Sequence, residues 1–406
     1  MVYKFWKNEV ENMEINFANR MDGVKGSAIR EMFKLMGDPS IISFAGGNPS
    51  PDTFPADKLK EIAARVLVDS PAKCLQYSVT EGYAPLVNKV SQRLKKQNIL
   101  KDKDKVIITT GGQQGIDLGT KAVINPDDGI ACEVPSFIGA LNCFRTYEAK
   151  LYGITLEEDG LNTKELEKTL EENKNIKILY IIPTFQNPMG VTTSLEKRIE
   201  ILRICKKHNV LIIEDNPYGE LRFSGEDVPT IKSLDEDGDT VLYCGSFSKV
   251  LSPGLRIGFV CANKKLIEKM VVLKQVNDVH TNIFSQILAD EWLEKYDFEE
   301  HLDLCKNVYK KKCSLMLKTM DEEFPSFVTY TRPEGGLFIY CKVNKDVDTK
   351  ELVIESIKRK VAFVPGCNFM TDVDEKTSSF RLNYSTMDDE SIVKGIKILA
   401  ELLKTL

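Results

Sequence analysis

Lys249 closes the run Cys244-Gly245-Ser246-Phe247-Ser248-Lys249, and Arg256 follows in Ser252-Pro253-Gly254-Leu255-Arg256-Ile257-Gly258. A lysine that forms a Schiff base with a phosphorylated aldehyde needs an anion cup beside it, and two hydroxyls with a guanidinium supply the donors. That donor set points to pyridoxal phosphate (PLP). Ser-x-Ser-Lys alone also fits a solvated loop lysine; Arg256 and the residues below favour the chemical reading.

Asp215 lies just past the apolar run Val210 to Ile213, in Glu214-Asp215-Asn216-Pro217-Tyr218. A carboxylate at the carboxyl end of a buried parallel strand sits where such sheets bind ligands. There it could pair with a protonated pyridine nitrogen and keep the ring an electron sink; taken alone it also fits a helix cap or turn. Tyr218, and Asn187 in Gln186-Asn187-Pro188-Met189-Gly190, could hydrogen-bond the phenolic oxygen of the cofactor, although Asn-Pro is also an ordinary turn former. Thr109-Thr110-Gly111-Gly112-Gln113-Gln114-Gly115 follows an apolar run and opens a helical pattern. Glycines at such a junction let backbone N–H groups approach a phosphate at a helix N-terminus. The segment matches neither a Walker loop nor G-x-G-x-x-G, and by itself equally fits a tight turn.

The elements that must carry these residues are legible as alternating patterns. Val106 to Thr110, Ile130 to Val134, Ile178 to Ile182, Val210 to Ile213, Thr240 to Cys244 and Arg256 to Val260 read as buried strands of a mostly parallel sheet. Lys249 would then project from a short connection between two of them. Thr193-Ser194-Leu195-Glu196 resembles a capping box, with Leu195, Ile199 and Leu202 predicted on one helix face. Past residue 263 the pattern turns helical, with Leu266, Met270 and Leu273 on one stripe and a long charged helix from about Asp297 to Glu323. A hairpin around Glu334-Gly335-Gly336, a helix near Thr349 to Lys360, extended segments at 361–364 and 380–383, and a last helix burying Ile392, Ile396, Leu399 and Leu403 complete an α+β lobe. The fold class is α/β, a mostly parallel central sheet flanked by helices plus a smaller α+β domain. The expected division is an N-terminal segment to residue 55 that joins the small domain and covers the active site, a large domain over 56–296 and a small one over 297–406.

With 406 residues the chain has room for a large core and a buried site. A net charge of -5 leaves no basic footprint for nucleic acid, and no run approaches the roughly 18 apolar residues of a membrane span. The N-terminus lacks the apolar stretch of a signal peptide, so cytoplasmic residence is expected. Ten cysteines without a C-x-x-C pair, beside three histidines, read as reduced core thiols rather than metal ligands. No metal is expected.

Eight motifs taken together resemble the fold-type I PLP-dependent aminotransferases of class I/II, with similarity to the 2-aminoadipate, kynurenine and aromatic aminotransferase subgroup. They are Ser43-Phe44-Ala45-Gly46-Gly47-Asn48-Pro49, Gln76-Tyr77-Ser78, Gly111-Gly112-Gln113-Gln114, Asn187-Pro188-x-Gly190, Asp215-x-Pro217-Tyr218, Ser246-Phe247-Ser248-Lys249, Arg256 and Arg381. The resemblance implies that Lys249 binds the cofactor covalently and shuttles a proton. It implies phosphate contacts from Gly112, Gln113, Ser246, Ser248 and Arg256, with Tyr77 reaching the site of a neighbouring subunit in a homodimer. Phe137 would stack on the ring where the subgroup often has tyrosine, keeping the stacking without the hydroxyl; Gly112 stands where relatives often have serine. Arg381 would clamp the substrate α-carboxylate, although alone it fits a surface-strand arginine. Gly46 and Gly47 would let backbone approach that carboxylate, and Arg30 matches a position that can meet a side-chain carboxylate.

The implied reaction is ping-pong transamination from an L-amino acid, with 2-oxoglutarate as acceptor. The same scaffold also serves PLP-dependent elimination and decarboxylation, and a ligand-sensing domain in some transcription regulators. The family's motifs begin within about 45 residues of the N-terminus, too few for a DNA-binding module ahead of them.

Overall fold

The apolar runs between residues 104 and 263 become neighbours in one eight-stranded sheet, and strand order brings their ends together. The computed structural model describes residues 15–21 and 40–406; Arg30 lies outside these described residues. After β1 (Ile42–Ser43) come β2 (Asp104–Thr109), β3 (Gly129–Val134), β4 (Lys150–Glu157), β5 (Gly160–Leu161), β6 (Ile176–Ile181), β7 (Leu211–Asp215), β8 (Val241–Ser246) and β9 (Gly258–Asn263). The order across the sheet is β2-β9-β8-β7-β6-β3-β4-β5. Strands β8, β7, β6, β3 and β4 run parallel, while β9 is antiparallel to both β8 and β2. Lys249 lies in the β8–β9 connection.

Burial on both faces explains why the central strands read as unbroken apolar runs. One face packs Leu179, Ile181, Ile212 and Val241 under helices Thr163–Glu172 and Leu195–His208. The other packs Ile130, Cys132, Ile178 and Ile213 under helices Gly112–Val123, Ile138–Thr146 and Lys264–Asn277. Because side chains alternate along a strand, Asp215 shares the second face with Ile213. Strand β4, next to the short β5, buries Ile154 and Leu156 while most of its other residues stay open to solvent, so no apolar run announces it.

Two helices are rotated from the expected stripes. Leu195 and Ile199 are 37% and 52% exposed, whereas Ile201, Leu202, Ile204 and Cys205 are buried. Arg198 accounts for the turn. Its guanidinium is fully buried and donates to the carbonyls of Thr193 at 2.9 Å, Pro183 at 2.6 Å and Pro229 at 3.0 Å, so positions 198, 201 and 205 face inward together. Ser194 rather than Thr193 caps this helix, accepting from the Lys197 N–H. In helix Lys264–Asn277 the buried set is Ile267, Met270 and Lys274, the lysine held at 2.8 Å by both Asp278 and Gln114.

Towards the C-terminus, β10 (Val328–Tyr330), β11 (Phe338–Val343), β13 (Val364–Pro365) and β14 (Ser379–Asn383) form an antiparallel sheet in the order β10-β11-β14-β13. Helices Phe298–Glu323, Thr349–Lys358 and Asp389–Leu403 accompany it. Asp297 caps the long helix through the N–H groups of Glu299 and Glu300, and Ile392, Ile396, Leu399 and Leu403 are all buried. β1 pairs in parallel with β12 (Val361–Ala362), so residues 42 and 43 are tied to this region. All ten cysteines are buried with free thiols. Among the described residues, no helix is long and apolar enough to cross a membrane.

Candidate active site

A cavity of about 730 Å³ opens at the carboxyl ends of β6, β7 and β8, where Ile182, Asp215 and Ser246 meet Gly47, Phe369 and Arg381. Lys249, Gly112, Gln113, Phe137, Asn187, Tyr218, Ser248 and Arg256 also line it. Residues far apart in sequence thus meet in one place. A larger, more open depression of about 1190 Å³ lies across residues 216–234. Its arginines are already ion-paired, Arg93 with Glu299 at 2.7 Å and Arg222 with Glu334 at 2.7 Å, so the chemistry points to the smaller cavity.

The Lys249 amine donates to the Gly47 carbonyl at 2.7 Å, and its nitrogen lies 6.0 Å from the Tyr218 ring centre. Burial pulls the amine down to about 8, the positive charges of Arg381 and Arg256 pull the same way, and Asp215 opposes them. The unprotonated amine is the nucleophile, so capture of PLP by the apo-protein should accelerate with pH and level off above about 8. Stopped-flow absorbance measures this. A rate that keeps climbing towards the 10.5 of an ordinary lysine would contradict the buried setting.

The cup beside the lysine is built from close backbone contacts. Ser248 donates its N–H to Ser246 Oγ at 3.1 Å, and Arg256 reaches Ser248 Oγ at 3.4 Å and the Thr110 carbonyl at 3.3 Å. Gly111, at φ +75°, is the one residue type that fits, since a Cβ there would fall 2.2 Å from an Arg256 Nη. Its own N–H donates to the Thr109 carbonyl at 2.9 Å, so its part in the cup is to make room for Arg256. Gly112 and Gln113, in the first turn of the helix, have N–H groups with no intrahelical acceptor. Phe137 and Gln113 both pack on Gly139, where a Cβ would strike the Phe137 ring at 2.5 Å and Gln113 Oε1 at 2.7 Å.

Arg381 is buried between the rings of Phe338, at 4.2 Å, and Phe369, at 5.0 Å. It donates to Asn187 Oδ1 and the Ala45 carbonyl, each at 2.7 Å, and its Nε has no partner among the described residues. Both acceptors are neutral. Burial lowers the guanidinium to about 10, the expected cost of a desolvated cation with no carboxylate beside it. Asn187, with its Oδ1 committed, keeps its amide within hydrogen-bonding reach of the Tyr218 hydroxyl. Of the two glycines expected near a substrate carboxylate, Gly47 lines the cavity and Gly46 does not. Tyr77 is 82% exposed and away from the cavity of its own chain, stacked edge-on against His280.

Sequence reasoning missed three contributors. Phe338 lies on the neighbouring strand β11 and Phe369 in the turn after β13, and no local sequence pattern ties either to Arg381. Tyr180, in β6, donates to Asp215 Oδ2 at 2.8 Å; a lone phenol in an otherwise apolar buried run was the available signal. Asp215 itself is pushed by burial to about 6, with Tyr180 and Lys249 drawing it back.

The site suits PLP on its own terms: a phosphate-sized cup of hydroxyls, guanidinium and helix N–H groups, a buried amine, and one carboxylate opposite. The aminotransferase class I and II family model matches residues 39–399. The chain is 40% identical over 393 residues to aromatic-amino-acid aminotransferase 1 of Thermococcus litoralis, covering 96% of this chain and 94% of the relative. It is 38% identical to the 2-aminoadipate transaminase of Thermus thermophilus, with 94% and 95% covered. A solved Pyrococcus horikoshii kynurenine aminotransferase, in complex with PMP, KYN as substrates and KYA as products, superposes with a TM-score of 0.92 at 37% identity, covering 96% of this chain and 97% of that one. The chain belongs to the class I and II aminotransferases and is a PLP-dependent transaminase with the fold-type I architecture.

Proposed function

We propose that the protein moves the amine of an L-amino acid, drawn from an aromatic, 2-aminoadipate-like or broader range, to 2-oxoglutarate. PLP supplies the electron sink that lets the substrate's α-hydrogen leave as a proton. Lys249, held near neutrality by its surroundings, takes that proton and returns it. Asp215 pairs with the ring nitrogen, Asn187 and Tyr218 serve the phenolic oxygen, and Phe137 stacks on the ring. Ser246, Ser248, Arg256 and the N–H groups of Gly112 and Gln113 hold the phosphate. Arg381 binds the α-carboxylate.

One observation carries this reading. Arg381 is a buried guanidinium sandwiched by two rings, with neutral oxygens as its partners and, among the described residues, none for its Nε, in the same cavity as the lysine amine. A substrate carboxylate completes it. The donor range follows the substrates for which the relatives are named. A panel of amino donors tests it: oxo-acid product should form only when 2-oxoglutarate is present, from aromatic donors or 2-aminoadipate. Turnover without an acceptor would instead favour elimination or decarboxylation.

Tyr77 completes a neighbour's site in a homodimer. Leu75 and Val79 beside it in sequence, and Val276 and Val279 beside its ring partner His280, are exposed apolar side chains too, and exposed apolar surface of this kind marks association faces. Light scattering should give a dimer; a fully active monomer would contradict the shared site. Free thiols throughout fit a reducing compartment, and we place the protein in the cytoplasm.

A further inference from the structure

Tyr180 sits near the carboxyl end of β6, its Cα paired with Cys132 on one side and Ile213 on the other. A tyrosine is out of pattern there, since Ile178, Leu179 and Ile181 fill the same strand without a hydroxyl to satisfy. It is fully buried, and a buried phenol needs an acceptor. The acceptor is Asp215 Oδ2, at 2.8 Å. An edge contact with Phe144, ring centres 5.4 Å apart, fixes the direction of the hydroxyl.

Asp215 therefore has two unlike oxygens. Oδ2 is turned to the Tyr180 hydroxyl, while Oδ1 faces the start of helix Gly112–Val123, 3.9 Å from where a Cβ on the cavity-lining Gly112 would lie. Among the described residues, no other side chain donates to this carboxylate. We propose that Tyr180 is a positioning residue for Asp215: by occupying Oδ2 it leaves Oδ1 aimed at the ring nitrogen and keeps the carboxylate ionised there. The proposal rests on the reading of Asp215 as the partner of that nitrogen.

Burial opposes this ionisation, and the surroundings leave little else to counter it. The other titratable groups facing Asp215 are Glu133 on β3, Cys244 on β8, and Tyr218 and Lys249 in the following loops. Burial raises Glu133 to about 8 and pushes Cys244 and Tyr218 up as well, so all three are neutral near pH 7. That leaves the Tyr180 hydrogen bond and the Lys249 charge on the side of the anion.

The ring nitrogen itself provides the test. Holoenzyme carrying PLP labelled with ¹⁵N in the ring is examined as wild type, as Tyr180→Phe, and with 3-fluorotyrosine at position 180. Tyr180→Phe keeps the ring and loses the donor; its ¹⁵N shift should move towards the unprotonated nitrogen. Its kcat should fall about 10- to 100-fold with KM for the amino donor within about twofold, because hydrogen bonds to charged groups are among the strongest. 3-Fluorotyrosine, a stronger donor that preserves the packing, should shift the signal the opposite way. An unchanged ¹⁵N shift in both variants overturns the proposal, whatever happens to Tm. A wild-type signal with no pyridinium character overturns the reading of Asp215 instead.

Discussion

Replacing Lys249 with alanine is expected to lower the transamination rate by about 10^4-fold or more, the upper range for a positioned acid–base group. The loss has two sources that act together: the amine that binds the cofactor covalently is also the group that carries the proton. PLP should still enter the cup, since Ser246, Ser248 and Arg256 are untouched, but it should dissociate on gel filtration. The apo-protein should not suffer. Burial disfavours the charged amine, so its removal relieves a desolvation cost, and Tm should match or exceed that of wild-type apo-protein. Lys249→Arg should not restore activity, because a guanidinium stays protonated and cannot act as nucleophile. Rescue by arginine would mean that position 249 contributes only a positive charge.

Arg381→Ala should act on a different quantity. Removing one member of a buried, hydrogen-bonded charge pair costs about 2–5 kcal/mol, or roughly 30- to 5000-fold in kcat/KM for amino and oxo acids alike. The affinity for the cofactor should change little, since Arg381 touches Asn187 and Ala45 rather than the phosphate cup. Arg381→Lys should recover little, because an ammonium cannot meet a carboxylate with two parallel N–H groups while stacked between two rings. Steady-state kinetics with an amino acid and with its decarboxylated amine would separate the effects. The variant and wild type should differ little on the amine. A kcat/KM within threefold of wild type on the amino acid would remove Arg381 from substrate binding.

Much of the site was legible because its chemistry is concentrated in short segments. Ser246, Ser248 and Lys249 fall within four residues, and the strands on either side are buried on both faces and so read as apolar runs. Arg381 was different: local pattern suggested a surface strand, and its true setting depends on Ala45, more than 300 residues away. The helix stripe built on Leu195 and Ile199 failed for a related reason. Arg198 is polar by type yet buried, because distant carbonyls at Pro183 and Pro229 receive it. Gly111 was legible only as one glycine of a cofactor motif; its left-handed backbone and its clearance for Arg256 are what the position requires. In each case the local sequence specified the element, and remote partners specified which way its side chains face.

Borohydride reduction of the PLP-saturated protein, followed by peptide mass spectrometry, reads out the Lys249 linkage itself. A pyridoxyl group fixed to the peptide containing Lys249, together with loss of the long-wavelength absorbance, is the result this account predicts. A protein that stays colourless with PLP, or a pyridoxyl group found on some other lysine, would contradict it.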